Sequence, residues 1–284
     1  MLFYGVENLP VALALYTFCP MPTIDQHKLG TFCWIELSTT DQEAAKVFYA
    51  SLFGWTTKDN PAGPNSIYTM FRLGGRDIGG GITLRAELLA AGVPPHWAIY
   101  VQVDNADAAA ARAAAAGGKI LAPAFDILDA GRMSVIQDPT GAVFCIWQPN
   151  KSKGIQVAGE PGSLCWADLN THDPERAQEF YADVFGWTFE ADKLSAPPSG
   201  YVQVKNGGQF IGGIPRLPRS AQIPPHWMVY FLVSDLDASA ALAKQLGATF
   251  CMEPTVIQKV GRFAILVDPQ GAVFAIFEPL PTTR

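Results

Sequence analysis

Charge is what this 284-residue sequence has least of: Asp, Glu, Lys and Arg make up 16% of it, against about a quarter in an ordinary soluble domain. The balance is acidic, with a net charge of −6, and no basic face is on offer for a nucleic-acid backbone. Long apolar runs are also missing, and none reaches the ~18 residues that span a bilayer. Cysteine is sparse and unpatterned: Cys19, Cys33, Cys145, Cys165 and Cys251 are odd in number and form no CxxC. That sets aside a disulfide framework and a zinc ribbon, and makes reduced thiols in a cytoplasmic protein the expectation. No GxGxxG joins a strand to a helix, no Gly-Lys-Ser/Thr is present and no GxSxG elbow occurs. Dinucleotide, P-loop and serine-hydrolase chemistry therefore have no anchor.

What is present is apolar bulk. The chain is 49% hydrophobic and 11% aromatic, enough to bury a core and offset its ordering entropy, which excludes disorder. Its length suits two domains of about 150 residues each. Val11 to Cys19 is apolar, but the ten residues ahead of it hold no Lys or Arg and do hold Glu7. A secretory signal wants a positive lead, so residues 1–29 read as an N-terminal extension, with Met21 the alternative start to Met1.

The strongest pattern is an internal repeat. WIELSTTDQEAAKVFYASLFGW from Trp34 aligns with WADLNTHDPERAQEFYADVFGW from Trp166, 132 residues later. PPHWAIYVQV from Pro94 aligns with PPHWMVYFLV from Pro224, and GRMSVIQDPTGAVFCIWQP from Gly131 with GRFAILVDPQGAVFAIFEP from Gly261, both 130 apart. The offset shifts within variable loops around 60–66 and 85–93, where insertions are tolerated. Two homologous domains are expected, 30–150 and 160–281, joined by Asn150 to Glu160.

Each copy reads as two half-sized modules. A strand over Phe32 to Leu37 leads to a helix capped by Asp41, and the second copy has Asp173 followed by Pro174 at the first helical position. Ala45, Phe48, Tyr49 and Leu52 recur at helical spacing, as do Ala177, Phe180, Tyr181 and Val184, before Gly54 and Gly186 stop the helix. Strands follow at Ile67 to Leu73 and Arg76 to Ile82 about Gly74-Gly75, mirrored at Gly207-Gly208. The pattern then restarts: a strand over Trp97 to Val103, an Ala-rich helix ending at Gly117, and strands over Arg132 to Gln137 and Ala142 to Trp147 about Asp-Pro-Thr-Gly. Trp55 and Trp187, at the helix ends, read as core.

The Asp seven residues before Phe-Tyr, the Phe-Gly-Trp at the helix end and the Asp-Pro-x-Gly turn before the last strand resemble the vicinal oxygen chelate superfamily. That is the group of glyoxalase I, extradiol dioxygenases and bleomycin-resistance proteins. The likeness covers nearly all of 30–281, twice, and is narrower toward two-domain bacterial members described as glyoxalase-like or as hydroxylases, mycobacterial ones included. It implies an α+β fold: a tandem pair of vicinal-oxygen-chelate domains, each of two βαβββ modules curled around a cavity. It also implies a divalent metal held from the first, fifth and last strands of a domain. At those places stand Trp34, Ala98 and Cys145, and in the copy Trp166, Met228 and Ala275. Indole and alkyl groups offer a metal no lone pair, so the usual metal site is not expected in either domain and no cofactor is required.

Strand alternation suggests what replaces it. Glu36 shares a face with Trp34, and His96 and Tyr100 share one with Ala98; the copies are Asp168, His226 and Tyr230. With Trp34, Trp147, Trp166 and Phe277 these make candidate aromatic-lined pockets with a few polar groups, the build of a small-ligand site. The alternative for the rings is a filled core; for His96 and His226 it is a bond to loop backbone. Arg132 and Arg262, each opening a strand, are candidates to clamp a ligand anion or to form surface ion pairs, with Asp126 or Asp129 available to Arg132. The leading expectation is a protein that binds an aromatic or amphipathic small molecule without metal, touches no nucleic acid or membrane, and leaves homo-oligomerisation open. The alternative is a lyase, hydroxylase or dioxygenase whose divalent metal uses relocated ligands such as Glu36, His96 and Cys145. The cavities differ between copies, so unequal roles are expected.

Overall fold

A computed structural model describes residues 23–63, 66–191 and 200–280; the question of Met1 against Met21 and the N-terminal Cys19 lie outside them. The first domain runs β1 (Phe32–Thr39), α1 (Gln42–Phe53), β2 (Thr56–Pro61), β3 (Ile67–Leu73), β4 (Arg76–Thr83) and α2 (Ala86–Ala90). It continues β5 (His96–Gln102), α3 (Ala106–Ala115), β6 (Lys119–Ile127), β7 (Gly131–Gln137) and β8 (Val143–Pro149). The second runs β9 (Leu164–Asn170), α4 (Pro174–Phe185), β10 (Thr188–Ala191), β11 (Val202–Asn206) and β12 (Gln209–Ile214). It closes with β13 (His226–Leu232), α5 (Leu236–Gln245), β14 (Thr249–Ile257), β15 (Gly261–Val267) and β16 (Val273–Pro279).

The strands form two eight-stranded sheets of one topology, β2-β3-β4-β1-β5-β8-β7-β6 and β10-β11-β12-β9-β13-β16-β15-β14. The tandem α+β fold of paired βαβββ modules is thus present. In each sheet the module starts, β1 and β5 or β9 and β13, lie antiparallel side by side at the centre. The motif-based strands and helices form, and four edge strands join them: β2, β6, β10 and β14. β6 is half exposed and carries Pro123, which only an edge position tolerates, so no clean alternation marks it in the sequence. Among the described residues no helix is long and apolar enough to cross a membrane.

Local chemistry accounts for the helices. The Asp41 side chain accepts from the Ala44 amide, and Asp173 from that of Arg176. Gly54 and Gly186 end α1 and α4 at φ of 71° and 70°, a backbone region that costs glycine little. The buried stripes of both helices contain the residues whose spacing marked them, Phe48 and Tyr49 in one and Phe180 and Tyr181 in the other.

Those stripes do more than cover their own sheet. The Tyr49 hydroxyl donates to Asp268 Oδ2 and that of Tyr181 to Asp138 Oδ2, both at 2.9 Å and both across the domain boundary. Each tyrosine in turn accepts from an indole, Trp97 at 3.0 Å and Trp227 at 2.9 Å. The other oxygen of Asp138 accepts the amides of Thr140, Gly141 and Ala142, and Asp268 repeats this with Gln270, Gly271 and Ala272. Trp55 donates to the Gly162 carbonyl and Trp187 to that of Gly30. The repeated motifs therefore meet at one reciprocal interface, and Trp55 and Trp187 are buried there. The 150–160 connector is packed too: Ile155 and Val157 are buried, and Arg76 pairs with Glu160.

Candidate functional site

The face of each sheet turned away from the helices holds the polar groups. In the first domain, pairing sets Trp34 opposite Tyr100 and Glu36 opposite Ala98, with Tyr100 beside Cys145 and Trp147 beside Met133. Strand alternation puts their side chains on one surface, the concave one. Tyr68 enters it from β3, a residue the sequence reading missed. Gly80 pairs with Glu36, and a Cβ there would lie 2.0 Å from the Tyr68 hydroxyl. Glycine at that position is what lets the phenol reach the carboxylate.

The result is an ordered network. Tyr100 donates to Glu36 Oε1 at 3.1 Å, the Tyr68 hydroxyl bonds the same carboxyl, and the Trp34 indole donates to Tyr68 at 2.8 Å. Burial among protein atoms pushes the Glu36 carboxyl up, and the hydroxyls of Tyr68 and Tyr100 oppose that by stabilising its charged form. Both phenols are held well above their usual range, first by burial and then by the Glu36 charge. Burial also pushes the Cys145 thiol up, so it stands as a thiol and not a thiolate. The Trp147 indole is tied to the Ser152 carbonyl at 3.2 Å. Glu36, Tyr68 and Ala98 keep partial exposure. A cavity of about 650 Å3 opens beside this face, lined by Lys58, Met70, Arg72, Asp77, Lys151 and Lys153 among others; Glu36 and its tyrosines are not in its wall.

The second domain repeats the set and closes it. Asp168 accepts from Trp166 at 2.9 Å, Tyr201 at 2.8 Å and Tyr230 at 2.8 Å, and has no exposed surface. Its carboxyl is pushed up to about 6, by burial against the pull of those three donors. Gly213, paired with Asp168, plays the part of Gly80: a Cβ would sit 1.6 Å from the Tyr201 hydroxyl. Around the network Met228, Phe263, Ala275 and Phe277 join Trp166 and Tyr230 in a buried apolar cluster of their own. Tyr68 and Tyr201 lie in the stretch where the repeat offset drifts. The signal that could have found them is the glycine run, Gly79-Gly80-Gly81 against Gly212-Gly213, which in a strand marks close approach.

Four expected site residues lie outside these networks. His96 and His226 each bond their own loop, Nδ1 to the carbonyl of Pro94 at 2.8 Å or Pro224 at 2.9 Å. Neither is joined to the carboxylate two strand positions away. Arg132 and Arg262 correct the clamp idea. Both sit on the helix-facing side, Arg132 bidentate on Asp107 of α3 and bonded to Asp126, Arg262 bidentate on Asp237 of α5. The partner is an acid in the first turn of a helix, a favourable place for negative charge that the sequence reading did not consider.

The donor set does not fit a divalent metal. Indole, methyl and a protonated thiol face the first cavity at the family's ligand positions, and indole, thioether and methyl the second. Among the described residues no three His, Cys, Asp or Glu side chains group as a metal site.

With that geometry in hand, comparison with known proteins is informative. A family model described as Glyoxalase/Bleomycin resistance protein/Dioxygenase superfamily matches residues 31–146, and one described as a glyoxalase-like domain matches 166–277. The Mycobacterium tuberculosis protein named "Putative glyoxylase CFP32" is 43% identical over 262 residues, spanning 92% of this chain and 99% of its own. The "Anthracycline biosynthesis protein DnrV" of Streptomyces peucetius is 33% identical over 88% of this chain and 93% of its own. Among solved structures, a Mn(II)-bound glyoxalase from Novosphingobium aromaticivorans superposes with a TM-score of 0.62 at 18% identity, over 89% of this chain and 83% of that one. The 2,3-dioxygenase LapB from Pseudomonas sp. KL28 gives 0.59 at 15%, over 91% and 97%. At such identities these two structures speak to the fold.

Proposed function

The chain belongs to the glyoxalase/bleomycin resistance protein/dioxygenase superfamily, and from that premise we propose that it binds a small molecule on the concave face of its first domain. The second domain serves as scaffold. One observation carries this: two copies of a carboxylate–phenol–indole network, one sealed and one accessible. Trp34 and Trp147 keep 8% exposure each, where Trp166 and Phe277 have 2% and 0%. Trp34, Tyr68, Tyr100 and Trp147 form the walls, Glu36 the polar anchor and Cys145 part of the floor, the mix typical of ligand pockets. The names of the relatives, a glyoxylase and a protein of anthracycline biosynthesis, both concern small organic molecules.

A thermal-shift screen of aromatic and amphipathic compounds tests the reading. Stabilisers are expected that act on wild type and lose their effect in Trp34→Ala. A broad library without stabilisers would sink it. The metal-dependent alternative calls on Glu36, His96 and Cys145, of which Glu36 is bonded to tyrosines and His96 to its loop. Stoichiometric Fe, Ni, Zn or Mn in protein purified without chelators would favour that alternative over binding alone.

A further inference from the structure

We propose that the ligand of the first domain's concave face is an organic cation, a protonated amine or amidinium carried on an apolar or aromatic body, with Glu36 as its counter-ion. This rests on the ligand-binding reading above and names the chemical class that fits it.

The argument starts from the count of donors on each carboxylate. Such a group accepts at roughly four lone-pair positions. Asp168 takes two donors on Oδ1, from Trp166 and Tyr201, and one on Oδ2, from Tyr230, in a site without solvent. Among the described residues Glu36 takes the two phenols only, because the Trp34 indole stops at the Tyr68 hydroxyl. The first domain is therefore one donor short at the carboxylate, and that carboxylate is the one that keeps partial exposure.

Charge points the same way. A carboxylate withdrawn from water is stabilised by a paired cation or by enough hydrogen bonds. Among the described residues no Lys, Arg or His forms an ion pair with Glu36. The titratable groups that face it are Tyr68 from β3, Tyr100 from β5 and Cys145 from β8, all neutral; β4 presents Gly80. Arg72, on the concave side of β3, is committed to Asp77, and His96, at the start of β5, to the Pro94 carbonyl. The described residues supply no counter-ion, so the ligand is placed to supply one.

The walls complete the match. Trp34, Tyr68, Tyr100 and Trp147 are rings whose faces attract a cation, most strongly when water is excluded. An anionic ligand would meet the Glu36 charge at these walls.

Paired probes test the proposal on the full-length protein by calorimetric titration. Tryptamine, 2-phenylethylamine and benzamidine are compared with their neutral counterparts tryptophol, 2-phenylethanol and benzamide. Wild type is expected to bind the cations at least about tenfold more tightly, the order of one charged, partly desolvated contact. Glu36→Gln should erase that preference, and Asp168→Asn, in the sealed domain, should keep it. Equal binding of both series to wild type, which needs no variant to fold, overturns the proposal, as does a preference that survives in folded Glu36→Gln. Binding by neither series counts against the ligand-binding reading itself.

Discussion

The two concave faces hold the same parts and put them to opposite uses. In both, an acid on the first strand meets two phenols, and an indole joins the network, at Tyr68 in the first domain and at the acid itself in the second. The second domain has Met228 for Ala98, Phe263 for Met133, Phe277 for Trp147 and Asp168 for Glu36. The larger thioether and the phenylalanines sit in a closed apolar cluster, and the shorter acid takes the Trp166 indole directly. A handful of side chains thus decides whether the carboxylate on a curled sheet is sealed or keeps partial exposure. Hydrophobic packing tolerates either outcome, since both sheets share one topology.

Matched substitutions in the two domains test that contrast. The largest difference is expected between Gly213→Ala and Gly80→Ala. A methyl group 1.6 Å from the Tyr201 oxygen must expel a ring that has nowhere to go and strip a buried acid of a donor. The expected cost is about 4 kcal/mol or more. Tyr68 can swing toward the open side, so Gly80→Ala should cost about 1–2 kcal/mol; equal losses in urea unfolding would contradict the comparison. Next, Phe277→Ala should lose about 3–5 kcal/mol as a cavity opens in a closed core, and Trp147→Ala markedly less.

A third test uses pH. The Asp168 carboxyl holds its proton up to about 6, against an ordinary value of 3.8. A carboxyl that binds protons more tightly folded than unfolded favours the fold at low pH, and that favour is lost as pH rises through about 6. Between pH 7 and pH 4 the stability of wild type should therefore gain on that of Asp168→Asn, by roughly 2 kcal/mol at 1.36 per unit. Parallel pH profiles would show that the acid is not sealed as described. Tyr49→Phe and Tyr181→Phe are the symmetrical control: each leaves an aspartate oxygen and an indole without their partner, and each should cost about 1–3 kcal/mol to a similar degree. The smallest effects belong to Arg132→Ala and Arg262→Ala, whose exposed ion pairs with Asp107 and Asp237 should leave ligand-induced stabilisation unchanged.

Much of the fold was legible in the sequence because it is written in local signals. Asp41 and Asp173 cap helices, Gly54 and Gly186 end them, and Phe-Tyr at helical spacing marks a buried stripe. The half-exposed edge strands carry no such periodicity and stayed hidden. Within the site, Glu36 with Tyr100 and Asp168 with Tyr230 followed from alternation on adjacent strands. Tyr68 and Tyr201 did not, because they arrive across an intervening strand over a glycine, a contact that no spacing along one strand reveals. The prominence of the repeated motifs also has a different meaning from the one expected of conspicuous residues. Trp97, Trp227 and the turn aspartates serve the joint between domains.

That joint is reciprocal: each half offers a turn carboxylate to the other's helix tyrosine, as in an isologous pair of identical subunits. Two separate copies of one module, so joined, would share every substitution, and neither cavity could change without the other. Fusion into one chain removes the constraint while keeping the contacts. One half can then trade its pocket for rigidity, and the other can let its pocket drift toward new ligands without risking the frame that supports it. The tyrosine–aspartate pairs are in that sense the fixed frame on which the two concave faces differ.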